Sequence, residues 1–297
     1  MSIATELTRI QQAKADIKTA IEAKGVTVPS SAKIDTYDDY VSQISGGGGD
    51  DTPSAFTSWS YNDYGRPTNF VLKDGVTTIP PYFLFYNEVL TSCTIPSGVT
   101  TIGGYAFSNV GTNAHPFDVS NINFTSVSAS TIVNNSMASL FNSARIKGNI
   151  TLPNSLFTNA TSGYSGPCYQ LFDGAIVPNN CELTINIYAN NIIIPRNAFC
   201  FNNGTTVNKG KINIIVHGTP SFLSPQSFRV ITGTSVDAQS VTFVDCTSPP
   251  DASKYDTSSN SPFYGFKGTL YVPSAGLTAW QNKYTGIASQ IQAIPNS

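Results

Sequence analysis

Two stretches of this chain are one unit written twice. Residues 76–85 read VTTIPPYFLF and residues 99–110 read VTTIGGYAFSNV, so Val76 and Val99 stand 23 positions apart. Each opens Val-Thr-Thr-Ile, turns on two Pro or Gly residues and ends in an aromatic-rich segment. A unit this short cannot bury its own apolar face, so copies must stack and share an interior. A fixed period in the low twenties with apolar residues in matching slots is the sign of a solenoid. The expected fold is mainly β, built from short parallel strands.

Weaker echoes extend the pattern. A short apolar strand ending in proline recurs at Ile79-Pro80, Ile95-Pro96, Leu152-Pro153, Ile194-Pro195 and Val272-Pro273. Proline lacks an N–H, which suits the place where a strand leaves its ladder. An aromatic plug recurs at Tyr105-Ala106-Phe107, Ser155-Leu156-Phe157, Asn197-Ala198-Phe199 and Gln226-Ser227-Phe228. Further strands are expected at 183–188, 212–216 and 241–244, the last two dense in β-branched residues. The reading gives about seven rungs, with polar insertions near 111–147, 158–180 and 247–267 projecting as loops. Residues 55–72 alternate polar with aromatic residues and read as an N-terminal cap over the open edge. A strand at 268–273, a helix at 274–284 with Leu277, Trp280 and Tyr284 on one face, and a strand at 290–294 read as the C-terminal cap.

The first 45 residues are of another kind. They hold 11 charged residues, about a quarter, whereas the remaining 252 hold 23. Ile3, Leu7, Ile10, Lys14, Ile17 and Ile21 follow a spacing of threes and fours, which predicts a helix over 2–24 stopped by Gly25. One polar residue in such a seam can fix register or strand number. These six residues are therefore the expected interface for oligomerisation or anchoring. A second short helix is expected over 35–44. Two helices of this size bury little surface alone, so the segment is expected to fold against copies of itself, with three copies the favoured number, or against a partner. The alternative is a small autonomous helical hairpin. Four glycines at 46–49 form a flexible joint. The organisation is thus 1–45 anchoring segment, 46–54 linker and 55–297 repeat domain with caps.

Composition excludes several classes. Only 11% of residues are charged and the net charge is -2, with no basic run, which argues against nucleic acid. No apolar stretch approaches the length of a membrane span, and the N-terminus lacks the apolar core of a signal peptide. The five cysteines, Cys93, Cys168, Cys181, Cys200 and Cys246, are irregularly spaced without a C-x-x-C pair, so they read as buried small hydrophobes and not as a metal site. His115 and His217 lie in no nucleophile motif. Asp118, Asp173, Asp237 and Asp245 are the scattered acids any long chain carries, not a recognisable glycosidase pair. No cofactor is called for and the chain reads as a non-enzyme. The candidate ligand surface is aromatic: Trp59, Tyr61 and Tyr64 near the start, and Tyr164 and Tyr169 in an insertion. Such rings can stack on sugars, or they can plug the core or a cap.

Residues 94–107 (TIPSGVTTIGGYAF) resemble the BspA-like leucine-rich repeat, I-x-I-P-x-x-V-x-x-I-G-x-x-A-F, nearly residue for residue. Residues 270–284 (LYVPSAGLTAWQNKY) are similar to that family's closing unit. The resemblance implies recognition of proteins or surfaces. The leader TELTRIQQAKADIKTAIEAKGVTVP, with KIDTYDDYVSQI after it, resembles one found on structural proteins of tailed, crAss-like bacteriophages. That likeness implies a fibre protein of a phage head or tail, made in the host cytoplasm and carried on the virion. Its N-terminal segment would attach to other virion proteins, and its repeat domain would bind a host-surface glycan or protein. A bacterial cell-surface adhesin of the same repeat class is the alternative, with a glycan-degrading enzyme behind it.

Overall fold

The structure is a computed structural model that describes residues 3–23, 25–33, 37, 40, 56–61, 67–72, 75–127, 138–160, 167–201, 210–229, 239–256 and 258–295. The chain divides into two compact units, Met1–Trp59 and Ser60–Ser297. The expected glycine joint at 46–49 lies outside the described residues.

The first unit is organised by helix α1, Ile3–Glu22. It ends where expected, at Gly25, whose φ of 85° is the left-handed region a glycine enters without a Cβ clash. Ile21 packs with Val26, Val28, Ala32 and Tyr37 in a small core. Tyr37 and Tyr40 are helical and meet edge to face at 6.4 Å; the rest of the helix expected over 35–44 lies outside the described residues.

The second unit is mainly β, with parallel, unclosed sheets. Strand β1, Phe56–Tyr61, which runs across the unit boundary at Trp59, and strand β2, Pro67–Leu72, make a two-stranded sheet of their own, and Leu72 packs on the main core. The two copies of Val-Thr-Thr-Ile then pair with each other. β3 (Thr78–Ile79) lies parallel to β4 (Thr101–Ile102), Thr78 opposite Thr101 and Ile79 opposite Ile102, in the register that the 23-residue repeat requires. Gly103 has no room for a side chain, because a Cβ there would run into the backbone of Pro81 in the neighbouring copy.

Beyond this pair the chain passes back and forth between two parallel sheets. One holds seven strands in the order β14-β13-β11-β9-β7-β6-β5. These are β5 Phe117–Asp118, β6 Ile146–Leu152, β7 Glu182–Tyr188, β9 Lys211–His217, β11 Gln239–Phe243, β13 Thr269–Val272 and β14 Ile291–Ala293. The other holds β12 Asp251–Ala252, β10 Phe222–Leu223 and β8 Ile193–Ile194. The long strands alternate, with Leu183, Ile185 and Ile187 of β7 and Ile212, Ile214 and Val216 of β9 buried and the residues between them turned outward. All five X-Pro positions of the sequence pattern fall at the end of a strand or bridge.

A third side carries no strand among the described residues, yet it is as regular as the sheets. Phe107, Phe141, Phe172, Phe199, Phe228 and Phe263 stack face to face, with centroids 5.5, 5.0, 5.8, 5.6 and 5.4 Å apart. Under each ring the backbone repeats one rule. The N–H of the inward residue donates to the carbonyl of the residue before the next phenylalanine: Phe107 to Leu140, Phe141 to Leu171, Phe172 to Ala198, Phe199 to Ser227 and Phe228 to Pro262, at 2.8–3.0 Å. The residue two before the ring has positive φ in Tyr105, Ser139, Gln170, Asn197 and Gln226. The residue two after has it in Asn109, Ser143, Gly174 and Gly265. Left-handed backbone costs a non-glycine residue roughly 1–2 kcal/mol. Here each such residue helps bring a ring inward and an N–H into line with the next pass.

This corrects the sequence reading in two places. The supposed insertions contain parts of the regular array: Phe141 lies within 111–147, Phe172 within 158–180, and β12 and Phe263 within 247–267. Conversely, Ser155-Leu156-Phe157 is not a member of the stack. It forms a 3₁₀ turn, Asn154–Phe157, directly after β6. Both errors have one cause. The position needs a ring flanked by left-handed residues, and Ser, Gln and Asn fill those places without a visible motif.

The far end closes as the sequence predicts. A 3₁₀ turn, Ser274–Gly276, leads into helix α2, Leu277–Lys283, and β14 adds to the sheet. Trp280 and Tyr284 are fully buried; Trp280 Nε1 donates to Cys246 O at 2.9 Å and Tyr284 Oη donates to Pro250 O at 3.1 Å. Their polar ends are thereby satisfied in the core. Tyr284 meets Phe263 edge-on at 5.4 Å and ends the face-to-face series.

Phe172, which touches Phe141, Phe199 and Phe201, sets the first test. Phe172→Ala is expected to cost about 3–5 kcal/mol in urea unfolding. Phe85→Ala, which removes an exposed ring, is expected to change stability by about 0.5 kcal/mol or less.

Candidate functional site

The first copy of the repeat differs from the later ones at its ring position. Leu84 fills the inward slot, and its N–H donates to Ala106 O at 2.7 Å, in the same way as the phenylalanines that follow. Three rings of this segment, Tyr82, Phe85 and Tyr86, flank that slot and are exposed, whereas Phe83 packs against the core. Tyr82 (φ 60°), Tyr86 (φ 58°) and Tyr105 (φ 59°) occupy left-handed positions, with Tyr82 55% and Tyr86 49% exposed. Tyr82 and Tyr105 stack in adjacent passes at 5.2 Å with their planes 8° apart. Phe85 bridges Tyr82 at 5.3 Å and Tyr86 at 4.5 Å, edge to face in both cases. Four rings thus form one continuous exposed platform. An apolar patch of this kind on a folded surface marks an interaction site.

Tyr86 also forms one wall of a pocket of about 400 Å³, whose other walls are Glu88, Asn109, Thr112, Asn113 and Arg145. The polar groups are held in place. Arg145 Nη1 donates to Ser143 O at 2.8 Å, Asn109 Nδ2 donates to Ser108 Oγ at 3.1 Å, and Thr112 Oγ1 accepts from the His115 N–H at 2.9 Å. Flat ring faces beside amide, guanidinium and carboxylate groups can take the C–H face of a sugar ring and satisfy its hydroxyls. They can equally seat an aromatic or amide-rich protein loop.

Of the aromatic candidates read from sequence, Tyr169 alone is described with its side chain. Tyr64 and Tyr164 lie outside the described residues, as do the side chains of Trp59 and Tyr61 on β1. Tyr169 is half-buried, and its carbonyl accepts from Ser139 N–H at 2.9 Å as part of the third side. Tyr82, Phe85, Tyr86 and Tyr105 were missed as surface because the repeat assigns its aromatic segment to the interior. The signal was the first copy itself, YFLFYN, which crowds four rings around a single inward slot.

The helix stripe divides. Leu7, Ile10 and Ile17 are 54%, 47% and 43% exposed. Ile21 is buried in its own unit, and Lys14 is turned to it as well: Nζ donates to Ala32 O at 2.5 Å and lies 5.7 Å from the Tyr37 ring centre. The chain returning after Gly25 packs on Ile21 and bonds Lys14. The side chain of Ile3 lies outside the described residues.

The remaining polar candidates are spread over the second unit. His217 stacks on Tyr188 at 4.9 Å. Asp118 accepts from Ser120 N–H and Asp245 from Gly218 N–H, both at 2.9 Å. Asp237 lies outside the described residues. Burial raises the Asp173 carboxyl above its ordinary value, against a smaller lowering by its hydrogen bond to Cys200 and by Arg229. Among the described residues no three His, Cys, Asp or Glu side chains cluster as metal ligands, and no helix is long and apolar enough to cross a membrane. Cys93, Cys168, Cys200 and Cys246 are buried and Cys181 is half-buried; all five are free thiols. Burial pushes Cys168 up to about 12 and Cys246 up to about 11, and raises Cys93 and Cys200 as well.

Comparison of the chain with protein-family models, with curated proteins and with solved structures finds no match.

The thiols give a prediction with a defined sign. An unfolded cysteine ionises near pH 8.5 or so, whereas the buried ones keep their protons in the fold to well above that. Above the unfolded value the folded state therefore binds more protons, and stability falls as pH rises. The urea midpoint is expected to hold between pH 7 and 8 and to drop between pH 9 and 11, with a shallower drop in Cys168→Ala. In native protein at pH 8 a thiol reagent is expected to label Cys181 before the other four.

Proposed function

We propose that this chain is a structural binding protein of a bacteriophage particle, a head or tail fibre component that displays a leucine-rich-repeat-type solenoid to the host surface. The observation that carries the reading is the exposed platform of Tyr82, Phe85, Tyr86 and Tyr105 beside the pocket at Arg145. It sits on a stack of parallel passes whose interior is filled by ring-on-ring contact. The BspA-like character rests on residues 94–107, whose Ile95, Val99, Ile102, Ala106 and Phe107 are all buried. The ligand is a host glycan or protein, and weak single contacts are multiplied by the many copies on a particle.

The anchoring role falls to the first unit. Leu7, Ile10 and Ile17 leave an apolar stripe uncovered on α1. The stripe fits a homo-oligomer, three copies being the favoured number, or a groove on another virion protein. Production in the host cytoplasm and release on the virion go with this reading.

Two measurements test it. Antibody-gold labelling of intact particles is expected to decorate the head or the tail; a chain absent from purified particles overturns the virion assignment. Purified protein is expected to bind host cells or arrayed host glycans, with Tyr82→Ala/Tyr86→Ala reducing binding at least tenfold at an unchanged urea midpoint. A strict monomer by mass measurement of the full chain, unchanged by Leu7→Ser/Ile10→Ser/Ile17→Ser, counts against self-association through the helix.

A further inference from the structure

The seven-stranded sheet has an opening near one edge. β5 pairs with only the start of β6, Phe117 with Ile146 and Asp118 with Lys147. The passes then separate. Gly148 takes a φ of 104° in space bounded by Asp118 and Ser120, and Ser120 Oγ accepts the Asn149 N–H at 3.0 Å. They meet again only where Ser155 Oγ donates to Val127 O at 2.8 Å. Between these two hydrogen bonds lies a groove of about 760 Å³. Asn149, Thr151 and Pro153 line it on the β6 side, and the pass through Asn121, Ile122 and Asn123, with Thr94–Pro96 bridged to it at Ile95, lines the rest.

Over residues 149–152 the groove side of β6 pairs with no strand among the described residues. In a parallel sheet the N–H and C=O of one residue point to the same side, and the next residue's point to the other. Lys147 O accepts Val119 N–H at 3.0 Å and Asn149 N–H meets Ser120, so this side belongs to residues 147, 149 and 151. The main-chain donor and acceptor of Thr151 therefore face the groove, away from β7, and meet no partner among the described residues. An open edge of this kind is a template for another strand.

The geometry points to an extended, uncharged peptide segment of a partner protein as the occupant, added to the sheet against Asn149–Pro153. Three observations select it. First, the main-chain N–H and C=O of Thr151 on the groove side suit the paired hydrogen bonds of an added strand. Second, none of the lining residues is charged, so a charged segment would enter without a counter-ion. Third, the one aromatic side chain in the lining, Phe124, is buried at 1% exposure. It offers no open face on which a sugar could stack, whereas the unmet main-chain groups suit strand addition. The site lies apart from the aromatic platform and does not depend on it.

The test uses the full-length chain and a yeast-displayed library of random seven-residue peptides. Enriched peptides are expected to be uncharged and to alternate β-branched with polar residues. N-methylation of alternate peptide amides is expected to weaken their binding at least tenfold in calorimetric titration, and methylation of the intervening amides less than threefold. Thr151→Pro, which deletes the groove-facing N–H but no bond to β7, is expected to weaken binding at least tenfold, and Thr151→Ala less than threefold. If Thr151→Pro does not fold, the methylation series decides. The proposal is overturned if no peptide is enriched, or if binding ignores both N-methylation and Thr151→Pro. It is also overturned if arrayed neutral oligosaccharides displace the peptides and lose affinity in Asn123→Ala.

Discussion

Everything in the second unit rests on a phenylalanine ring lying flat on the ring of the next pass while the backbone beneath it hydrogen-bonds in the same direction. Neither half suffices alone. An offset ring stack is worth about 0.5–1.5 kcal/mol beyond its buried area, but it needs the rings in register. The register comes from the N–H of one ring residue meeting the carbonyl before the next, at 2.8–3.0 Å through five successive steps. Those bonds form only because residues two before or two after the ring adopt left-handed backbone. Local strain is spent on long-range order, and each pass is stable only if its neighbours are present. The two ends need different contacts. Leu84 and the edge-to-face pair Phe83–Phe107 start the series, and Tyr284 meeting Phe263 edge-on finishes it.

This explains which parts of the fold were legible in the sequence. Val-Thr-Thr-Ile could be read because two adjacent copies share one length, and β3 and β4 pair in that register. The C-terminal segment could be read because Trp280 and Tyr284 stand a helical turn apart and both face inward. Strands β7, β9 and β11 could be read because alternation over five to seven residues is a strong signal. The third side could not. It has no strand period, its inward residue is a lone phenylalanine, and its flanking positions accept Tyr, Ser, Gln, Asn or Gly alike. The passes also differ in length. Thr78 and Thr101 are 23 residues apart, Phe117 and Ile146 are 29, and Gly148 and Leu183 are 35. Period counting loses a repeat whose corners vary this much, which is how Phe141 and Phe172 came to be read as insertion.

The candidate surfaces were harder to read than the fold, for a related reason. A stripe of apolar residues on a helix says that something covers it, not what. On α1 the answer is divided: its own chain takes Lys14 and Ile21, and Leu7, Ile10 and Ile17 stay exposed. An aromatic residue in a repeat is likewise ambiguous until the backbone sign at that position is known. Phe107 and Tyr105 are two residues apart in one motif, yet one is fully buried and the other forms part of the exposed platform. The left-handed φ of Tyr105 separates them, and nothing in a tyrosine announces it.

Both surface features lie where ladders advance by unequal lengths. On the strand side from β7 to β13 the offsets stay close, 29 from Glu182 to Lys211, 27 from Gln239 back to Ile212 and 29 from Ser240 to Thr269. There the outward face is a tight lattice in which Asn213 bonds Glu182 and Ser240 bonds Asn213. Between residues 76 and 153 the offsets change from one side of the circuit to the next: 23 at β3, 27 at the Ile95–Ile122 bridge and 34 from Phe107 to Phe141. Ladders that advance by unequal lengths cannot close against each other everywhere. On the third side the surplus surface appears as the exposed rings of Tyr82, Phe85, Tyr86 and Tyr105. On the strand side it appears as the groove beside β6. In a stacked architecture of this kind, open surface arises where the repeat departs from its own period, and regular passes supply the rigidity that holds such a departure open.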